Sequence, residues 1–240
     1  MLTLAFDTTA KIASCAAVKD GRVLAEYTVD NGLTQSELLL PMAKDMLGAL
    51  KISIEDVDLL ACSVGPGSFT GVRIGAALIK GLAFGKNVPC VGVSTIEALA
   101  NNLVPINGII VPVMDARRAQ VYTAIFRSDG KKIERICDDT AIACTTLAEM
   151  LRAYEGESIY LVGDGYDVAY KILTESGVKI CPTPRLLINE NAYSVARVAL
   201  EKFKRGEAVS DTEITPTYLR MPQAERERLE RLKAEENKNG

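Results

Sequence analysis

The 240-residue sequence contains no histidine and no tryptophan. Histidine is the most frequent general base in catalysis and a frequent metal ligand, so its absence excludes Ser-His-Asp and Cys-His hydrolases and His-Glu-x-x-His metalloproteases. No peptidase mechanism that uses a metal or a triad is therefore available. The six cysteines are scattered without a Cys-x-x-Cys pair, which favours buried thiols in a reducing compartment over disulfides or a metal site.

Long apolar runs and a strong charge of either sign are also missing. No apolar run approaches the length of a membrane span, and residues 1–7 lack the basic segment and the apolar core of a signal peptide. The formal net charge of −3 gives little attraction for a nucleic-acid backbone, so the chain alone is not expected to bind nucleic acid. We therefore expect a cytoplasmic protein that makes no membrane contact.

The N-terminal half alternates between strand-like and helix-like patterns. Residues 34–37 read Thr-Gln-Ser-Glu, a capping box that predicts the start of a helix, and Pro41 is expected to kink that helix. Ser94 is expected to cap a later helix. The predicted elements are strands at 2–7, 12–19 and 22–29, a helix at 35–50, a strand at 58–64, a helix at 71–85, a strand at 89–93 and a helix from 94 to about 103.

A comparable series then begins again. Its predicted elements are strands at 108–114, 121–127 and 133–138, a helix at 145–154, a strand at 159–162, a helix at 166–175, a strand-like run at 178–180 and a helix at 191–204. The order β-β-β-α-β-α thus occurs twice, which indicates an α/β fold of two halves with mixed sheets flanked by helices. We expect the halves at 1–104 and 105–222, followed by a charged tail at 223–240 that is partly helical or disordered.

A glycine-rich turn separates the predicted strand at 58–64 from the helix that follows it. Residues 65–75 read Gly-Pro-Gly-Ser-Phe-Thr-Gly-Val-Arg-Ile-Gly. Such a turn can hold a phosphate on backbone N–H groups at the positive end of a helix, or it can let a helix pack closely on a sheet. No Gly-x-x-x-x-Gly-Lys-Ser/Thr sequence is present, which favours the structural interpretation. The candidate ligand residues of the turn are Gly65, Gly67, Ser68 and Thr70.

Acidic residues mark one predicted hairpin turn in each half. Asp7 ends the first strand, where a carboxylate can position a metal–nucleotide complex, although Thr9 and Ala10 occupy the place where a phosphate-binding hairpin needs glycine. Asp115 and Arg117 occupy the matching turn of the second half and can either bind a ligand or form a surface ion pair. These turns leave open a nucleotide-binding phosphotransferase or ATPase as an alternative function.

The predicted helices at 35–50 and 71–85 carry more apolar residues than one buried face uses, and the second is rich in glycine and alanine. Small residues allow another helix to approach closely, so we expect a helix pair of a partner to dock here. Coverage of both faces within the monomer remains the alternative. The residues predicted to form this interface are Leu39, Met42, Met46, Val72, Gly75 and Ile79.

The sequence at 65–75 closely resembles the glycine signature of the TsaB (YeaZ) family. Further segments that resemble this family are Asp7-Thr8-Thr9, Ser36-Glu37 with Leu39-Leu40-Pro41-Met42, residues 93–100, Met114-Asp115-Ala116-Arg117 with Val121-Tyr122, and residues 216–220. Together they span nearly the whole chain. Many members of the family have histidine before the Ser-Glu pair, where this chain has Gln35, so no role of that histidine carries over.

The resemblance implies two RNase-H-like halves of the actin, sugar-kinase and heat-shock-ATPase superfamily. It also implies a non-catalytic scaffold in tRNA threonylcarbamoyladenosine formation, which docks on the transferase TsaD and is joined by the ATPase TsaE. The partners would then hold ATP and metal, tRNA would be met only through the complex, and the free chain could form a homodimer. TsaD binds metal through His-x-x-Gly-His after a Val-Gly-Val strand. Here Val91-Gly92-Val93 is followed by Thr95 and Leu99 at the two histidine positions.

Overall fold

A computed structural model describes residues 1–220, so the tail predicted at 223–240 lies outside the described residues. The strands of the first sheet are β1 (Leu2–Asp7), β2 (Ala13–Lys19), β3 (Arg22–Val29), β4 (Leu59–Gly65) and β5 (Cys90–Ser94). Their order across the sheet is β3-β2-β1-β4-β5. Strands β2 and β3 run antiparallel to their neighbours, whereas β4 and β5 run parallel to β1, which is the RNase-H-like arrangement.

The second sheet repeats this order around β6 as its central strand. Its strands are β6 (Asn107–Asp115), β7 (Gln120–Thr123), β8 (Phe126–Asp129), β9 (Ile133–Arg135), β10 (Thr140–Ala143) and β11 (Ile159–Val162). Val113 lies opposite Thr123 and Ile110 lies opposite Phe126 in a single antiparallel register, so β7 and β8 form one interrupted strand on one side of β6. Strand β11 pairs with β6 in parallel on the other side.

Helices flank both sheets, so the predicted α/β class is confirmed. The α-helices within residues 1–220 are α1 (Gln35–Leu50), α2 (Phe69–Ala83), α3 (Thr95–Asn101), α4 (Cys144–Leu151), α5 (Tyr166–Glu175) and α6 (Ala192–Lys204). None of these helices combines the length and the apolarity that a membrane crossing requires.

The first sheet is covered on both faces. Helices α1 and α2 pack on one face through a core that includes Phe6 and Leu60. Helix α6 packs on the other face, where Ala5, Ala16 and Ala61 let it approach the strands closely. The chain therefore returns to the first sheet after completing the second. The boundary predicted at 104 separates the strands of the two sheets but not the helices that cover them.

Local details of the prediction were wrong at several places. The Thr34 side chain makes no cap hydrogen bond to α1, because its hydroxyl pairs with that of Ser36 at 3.1 Å. By contrast, the bounds of α1 were predicted correctly, with Pro41 inside the helix, and the kink expected there stays a prediction. Pro41 is exposed, so the carbonyl that lacks a donor there can be hydrated. The run at 178–180 forms no strand; an isolated bridge joins Cys181 to Tyr160 instead. Strand β10 had not been predicted.

Candidate functional site

The glycine-rich turn connects the end of β4 to the start of α2. Ser68 caps α2, because its hydroxyl accepts a hydrogen bond from the backbone N–H of Gly71 at 3.2 Å. The backbone N–H of Ser68 donates to the carbonyl oxygen of Thr9 at 2.7 Å, and the hydroxyl of Thr8 donates to the carbonyl oxygen of Gly71 at 2.8 Å. The turn is thus bonded on both sides of its helix start to the hairpin between β1 and β2.

The glycines of the turn are required by close packing against other parts of the chain. A Cβ atom on Gly67 would lie 2.5 Å from the carbonyl oxygen of Thr9 and 3.2 Å from the Cε of Met114 in the second half. A Cβ atom on Gly65 would lie 2.5 Å from the carbonyl oxygen of Thr217. Gly65 and Gly67 also have positive φ angles, of 111° and 154°. These contacts favour the structural interpretation of the turn over a phosphate cradle.

Asp7 is fully engaged in holding the first hairpin. It is 1% exposed, and one carboxylate oxygen accepts hydrogen bonds from the backbone N–H of Thr9 at 2.9 Å and from the Thr9 hydroxyl at 2.7 Å. The other oxygen accepts from the hydroxyl of Ser63 on β4. Burial raises the pKa of Asp7, and the three hydrogen bonds oppose that rise. The carboxylate therefore braces β1 against β4 and does not line the cavity described next.

A cavity of about 620 Å³ lies between the two halves. It brings together four of the predicted ligand residues, namely Gly67, Ser68, Asp115 and Arg117, while Asp7, Gly65 and Thr70 do not line it. Its walls are the two hairpin turns, the glycine-rich turn, the start of α1, Asp164 after β11, Asn189 and Glu190 before α6, and residues 217–220. A cavity of this size is in the range of small-molecule sites.

The second hairpin presents its charges at the cavity. Asp115 accepts a hydrogen bond from the backbone N–H of Arg117 at 2.7 Å, and the two side chains form an ion pair at 3.7 Å. The Arg117 side chain is 86% exposed, so this pair contributes little to stability. The backbone N–H of Asp115 donates to the carboxylate of Asp164 at 3.0 Å. Asp164 is exposed as a residue, but partial desolvation of its carboxylate raises its pKa; the hydrogen bond from Asp115 opposes that rise and the Asp115 charge adds to it.

Glu190 is a feature of the cavity that the sequence analysis missed. It is 2% exposed, and neither of its carboxylate oxygens has a hydrogen-bond partner within residues 1–220. Burial raises its pKa well above the ordinary glutamate value, and the negative charges of Asp164 and Asp7 raise it further. No spacing or motif marks Glu190, which is flanked by two asparagines.

Asn102 at the end of α3 fixes the loop that carries Glu190. Its side-chain amide donates to the carbonyl oxygens of Leu187 at 3.0 Å and Asn189 at 2.8 Å. Its side-chain oxygen accepts from the amide of Asn191 at 2.8 Å, and Asn191 in turn caps α6 by accepting from the backbone N–H of Ser194. The loop is therefore held in place from both ends.

The segment at 217–220 crosses the cavity from one half to the other. The backbone N–H of Thr217 donates to the carbonyl oxygen of Val64 at 2.7 Å. The Tyr218 hydroxyl accepts a hydrogen bond from the guanidinium of Arg73 at 2.8 Å, and the centroid of its ring lies 4.9 Å from that of the Phe69 ring.

The same segment reaches the second half through Arg220. Arg220 donates to the carbonyl oxygen of Ala116 and lies over the Tyr122 ring. The segment thus ties the glycine-rich turn to the second hairpin.

The side chains predicted to form a partner interface are placed in the interior instead. The structure buries all six of them: Leu39, Met42 and Met46 on α1 and Val72, Gly75 and Ile79 on α2. The helical phase turns these positions toward the first sheet, where four of them belong to its main core. In the free chain they cannot contact a partner, so a docking surface on these helices has to use the opposite faces.

The outer faces of α1 and α2 are exposed and partly apolar. Leu40 on α1 is 54% exposed, and Phe84, directly after α2, is 79% exposed. Ala77 and Gly81 follow one another at helical spacing on α2, both exposed, and a Cβ atom added to Gly81 would meet no atom within 4 Å. The outer side of α2 is therefore open and carries small residues.

The positions compared with metal-binding histidines lie on α3. Thr95 is fully buried and Leu99 is 1% exposed, and the Thr95 hydroxyl has no hydrogen-bond partner among the described residues. Across residues 1–220, no three histidine, cysteine, aspartate or glutamate side chains group closely enough to hold a metal ion. All six cysteines are free thiols, and burial raises the pKa of Cys15 to about 12, so that thiol stays protonated and inert.

Comparisons with known proteins agree with one another. A family model described as "TsaD: tRNA N6-adenosine threonylcarbamoyltransferase" matches residues 34–228. The "tRNA threonylcarbamoyladenosine biosynthesis protein TsaB" of Bacillus subtilis (strain 168) is 30% identical over 97% of this chain and 100% of its own length. The protein of the same name from Escherichia coli (strain K12) is 32% identical over 92% of this chain and 95% of its own.

A solved structure shows the same fold. "YeaZ from Pseudomonas aeruginosa" superposes with a TM-score of 0.75 at 24% identity, covering 91% of this chain and 99% of its own. The glycine signature at 65–75 and the near-complete coverage by relatives with one name lead to the same assignment. The chain belongs to the TsaB (YeaZ) family of tRNA threonylcarbamoyladenosine biosynthesis proteins.

Proposed function

We propose that this protein is a non-catalytic scaffold of the cytoplasmic assembly that forms threonylcarbamoyladenosine on tRNA. Its direct partner is TsaD, which transfers the threonylcarbamoyl group, and the ATPase TsaE joins the two. ATP and metal belong to the partner subunits, and tRNA is contacted only through the complex. Family membership supports the pathway, and the closed glycine-rich turn supports the non-catalytic role.

The observation that carries the non-catalytic role is the packing between the turn and the two hairpins. In this chain the carbonyl oxygens of Thr8 and Thr9 approach the turn from one side and Met114 approaches from the other. Asp7, the carboxylate best placed for a metal, is buried and bonded on both oxygens. Protein atoms thus lie directly against Gly67 and Gly71, and hydrogen bonds within the chain already use the Asp7 carboxylate and the backbone N–H of Ser68, which a phosphate with its metal would need.

The docking surface we propose is the outer face of α1 and α2. Its exposed residues include Leu40 and Gly48 on α1, and Ala77 and Gly81 on α2, with half-buried Leu78 alongside. Small residues on α2 let a partner helix come close, and the leucines supply apolar area for it to bury. This face replaces the six buried positions that the sequence had indicated.

A charge at Gly81 tests the docking surface. Because a Cβ atom there meets no other atom, Gly81→Glu should leave the fold intact while it places a carboxylate in the proposed contact. We expect this variant to lose co-purification with TsaD and to unfold at a thermal midpoint no lower than that of the natural chain. The matched control is Val168→Glu on the exposed side of α5, which should bind TsaD normally. Normal binding by Gly81→Glu would reject the proposed face.

Gly75 is unsuitable for the same experiment. A Cβ atom there would lie 2.8 Å from the Thr8 hydroxyl, so a charged side chain would disturb the hairpin as well as any interface. Loss of binding in a Gly75 variant would therefore not identify the surface.

The same face is proposed to support a homodimer of the free chain. Sedimentation at high concentration should show a dimer for the natural sequence and a monomer for Gly81→Glu. A natural chain that stays monomeric throughout would contradict self-association without affecting the proposal for TsaD.

The alternative function is a phosphotransferase or ATPase. It is favoured by one observation: the cavity between the halves gathers Ser68, Asp115, Arg117 and Asp164. Calorimetry of the isolated chain with Mg-ATP separates the two functions. Absence of binding is expected for a scaffold, whereas micromolar binding with turnover would establish the alternative.

A further inference from the structure

Glu190 is an uncompensated carboxyl group in the wall of the cavity. It is 2% exposed, and within residues 1–220 neither oxygen forms a hydrogen bond of normal geometry and no ion pair includes it. The backbone N–H groups of Glu190 and Asp164 are close enough to oppose the rise of its pKa, but burial outweighs them. An unpaired buried carboxylate is costly, and such groups normally have a hydrogen-bond donor or a cation as partner. The carboxyl group is therefore neutralised either by its own proton or by a cationic donor that enters the cavity.

The charges around Glu190 do not supply that donor. The two charged groups that affect it most are Asp164 and Asp7, both negative, and Asp7 is already bonded on both oxygens. Three cationic side chains line the cavity: Lys11, Arg117 and Arg220. Arg117 pairs with Asp115 and Arg220 donates to Ala116, and Lys11 forms no ion pair among the described residues.

The carboxylates of Glu190 and Asp164 fit an ammonium group better than a metal ion. A metal ion held by the protein needs several ligands arranged around it, and no group of three such side chains exists within residues 1–220. An ammonium group carries three N–H donors and one positive charge, so it can bond two or three acceptors without a fixed coordination geometry. Glu190 and Asp164 offer carboxylate acceptors on the same cavity wall.

We propose that the cavity between the two halves binds a small primary amine, whose ammonium group donates hydrogen bonds to Glu190 and is balanced by the charges of Glu190 and Asp164. The positive charges of Lys11 and Arg117 lower the pKa of Asp164, whereas the charges that act most on Glu190 are negative, so Glu190 is the main acceptor. This site is separate from the outer face of α1 and α2, so it stands whether or not that face binds TsaD.

Thermal unfolding with simple amines tests the site. Methylammonium chloride should raise the thermal midpoint of the full chain in a saturable manner. Tetramethylammonium chloride, which has the charge but no N–H donor, should not do so at the same ionic strength. Glu190→Gln should abolish the methylammonium effect. Asp30→Asn, which neutralises an exposed carboxylate that lines the same cavity, should keep it.

Several results would overturn the proposal. These are a midpoint insensitive to methylammonium, an equal rise with tetramethylammonium, or an undiminished rise in Glu190→Gln. The proposal is also overturned if the Lys11 ammonium already bonds Glu190 in solution. In that case the natural chain will not respond to methylammonium, and Lys11→Met will respond. Because Glu190→Gln is a near-isosteric change, a direct carboxyl signal from ¹³C-labelled glutamate, shifted by methylammonium, provides a second readout that does not depend on the fold of a variant.

Discussion

Gly71 and Thr8 are in contact through their backbones as well as through a hydrogen bond. The Thr8 hydroxyl donates to the Gly71 carbonyl at 2.8 Å, and a Cβ atom on Gly71 would lie 1.8 Å from the Thr8 carbonyl oxygen. Only glycine allows α2 to approach the first hairpin this closely. The glycine signature in this chain therefore allows β4, α2 and the β1–β2 turn to pack closely against one another.

Replacement of Gly71 measures the importance of this contact. Gly71→Ala should lower the free energy of unfolding by about 3 kcal/mol or more, because α2 must move off the hairpin to make room for the methyl group. Gly81→Ala is the matched control on the same helix, where the added methyl group meets open space, and it should stabilise by about 0.5–1 kcal/mol. Urea denaturation of both variants checks the difference, and equal effects would contradict the packing account.

The two helix starts that resemble capping sequences should respond differently to alanine. Ser68→Ala should cost about 1 kcal/mol, because the hydroxyl accepts a hydrogen bond from the backbone N–H of Gly71. Thr34→Ala should change stability by less than about 0.5 kcal/mol, since Thr34 makes no cap hydrogen bond to α1. Chemical denaturation under identical conditions tests both, and a larger loss for Thr34→Ala would reverse the assignment of the caps.

Tyr218 should contribute to the connection of the two halves through its ring more than through its hydroxyl. Tyr218→Ala removes the contacts with Phe69 and Arg73 and should cost about 1–2 kcal/mol. Tyr218→Phe keeps the ring and loses one half-exposed hydrogen bond, so it should cost at most about 0.5–1 kcal/mol. A phenylalanine variant as unstable as the alanine variant would show that the hydroxyl carries the interaction instead.

Glu190 should make stability depend on pH. Its pKa is raised from the ordinary value of 4.5, so the folded chain holds the proton more tightly than the unfolded chain does. Its contribution is therefore fully present below about pH 4.5 and is lost as the pH rises through the folded pKa.

Glu190→Gln removes this titration. The variant should gain stability relative to the natural chain as the pH rises above about 4.5, with the gain levelling off at high pH. Denaturation at a series of pH values, with Asp30→Asn as the control at an exposed carboxylate, measures the difference. A constant difference between Glu190→Gln and the natural chain at all pH values would show that Glu190 does not titrate as argued.

The order of elements could be predicted from the sequence because it is written in local patterns. Alternating or continuous apolar runs at 2–7, 58–64 and 159–162 predicted strands that the structure confirms as β1, β4 and β11. Ser94 was predicted correctly as a cap, since its hydroxyl accepts from the backbone N–H of Glu97. These features depend on residues within one turn of each other.

The features that were missed depend on residues far apart in the chain. Glu190 lies in a loop that Asn102 holds against α3. Asn102 bonds the carbonyl oxygen of Asn189 and the side-chain amide of Asn191, which lie 87 and 89 positions later in the chain. The buried side of α1 was misjudged because the helix is apolar over most of its circumference, and the contact with the sheet decides which side faces inward. Strand β10 forms only because β7 offers it an edge.

Reconstitution of tRNA modification tests the central claim most directly. Purified chain would be mixed with unmodified tRNA and threonylcarbamoyl-adenylate, either alone or together with TsaD and TsaE, and threonylcarbamoyladenosine would be measured by mass spectrometry of the digested tRNA. The account predicts no product from the chain alone and product that requires the chain when TsaD and TsaE are present. Product formed by the chain alone would contradict it.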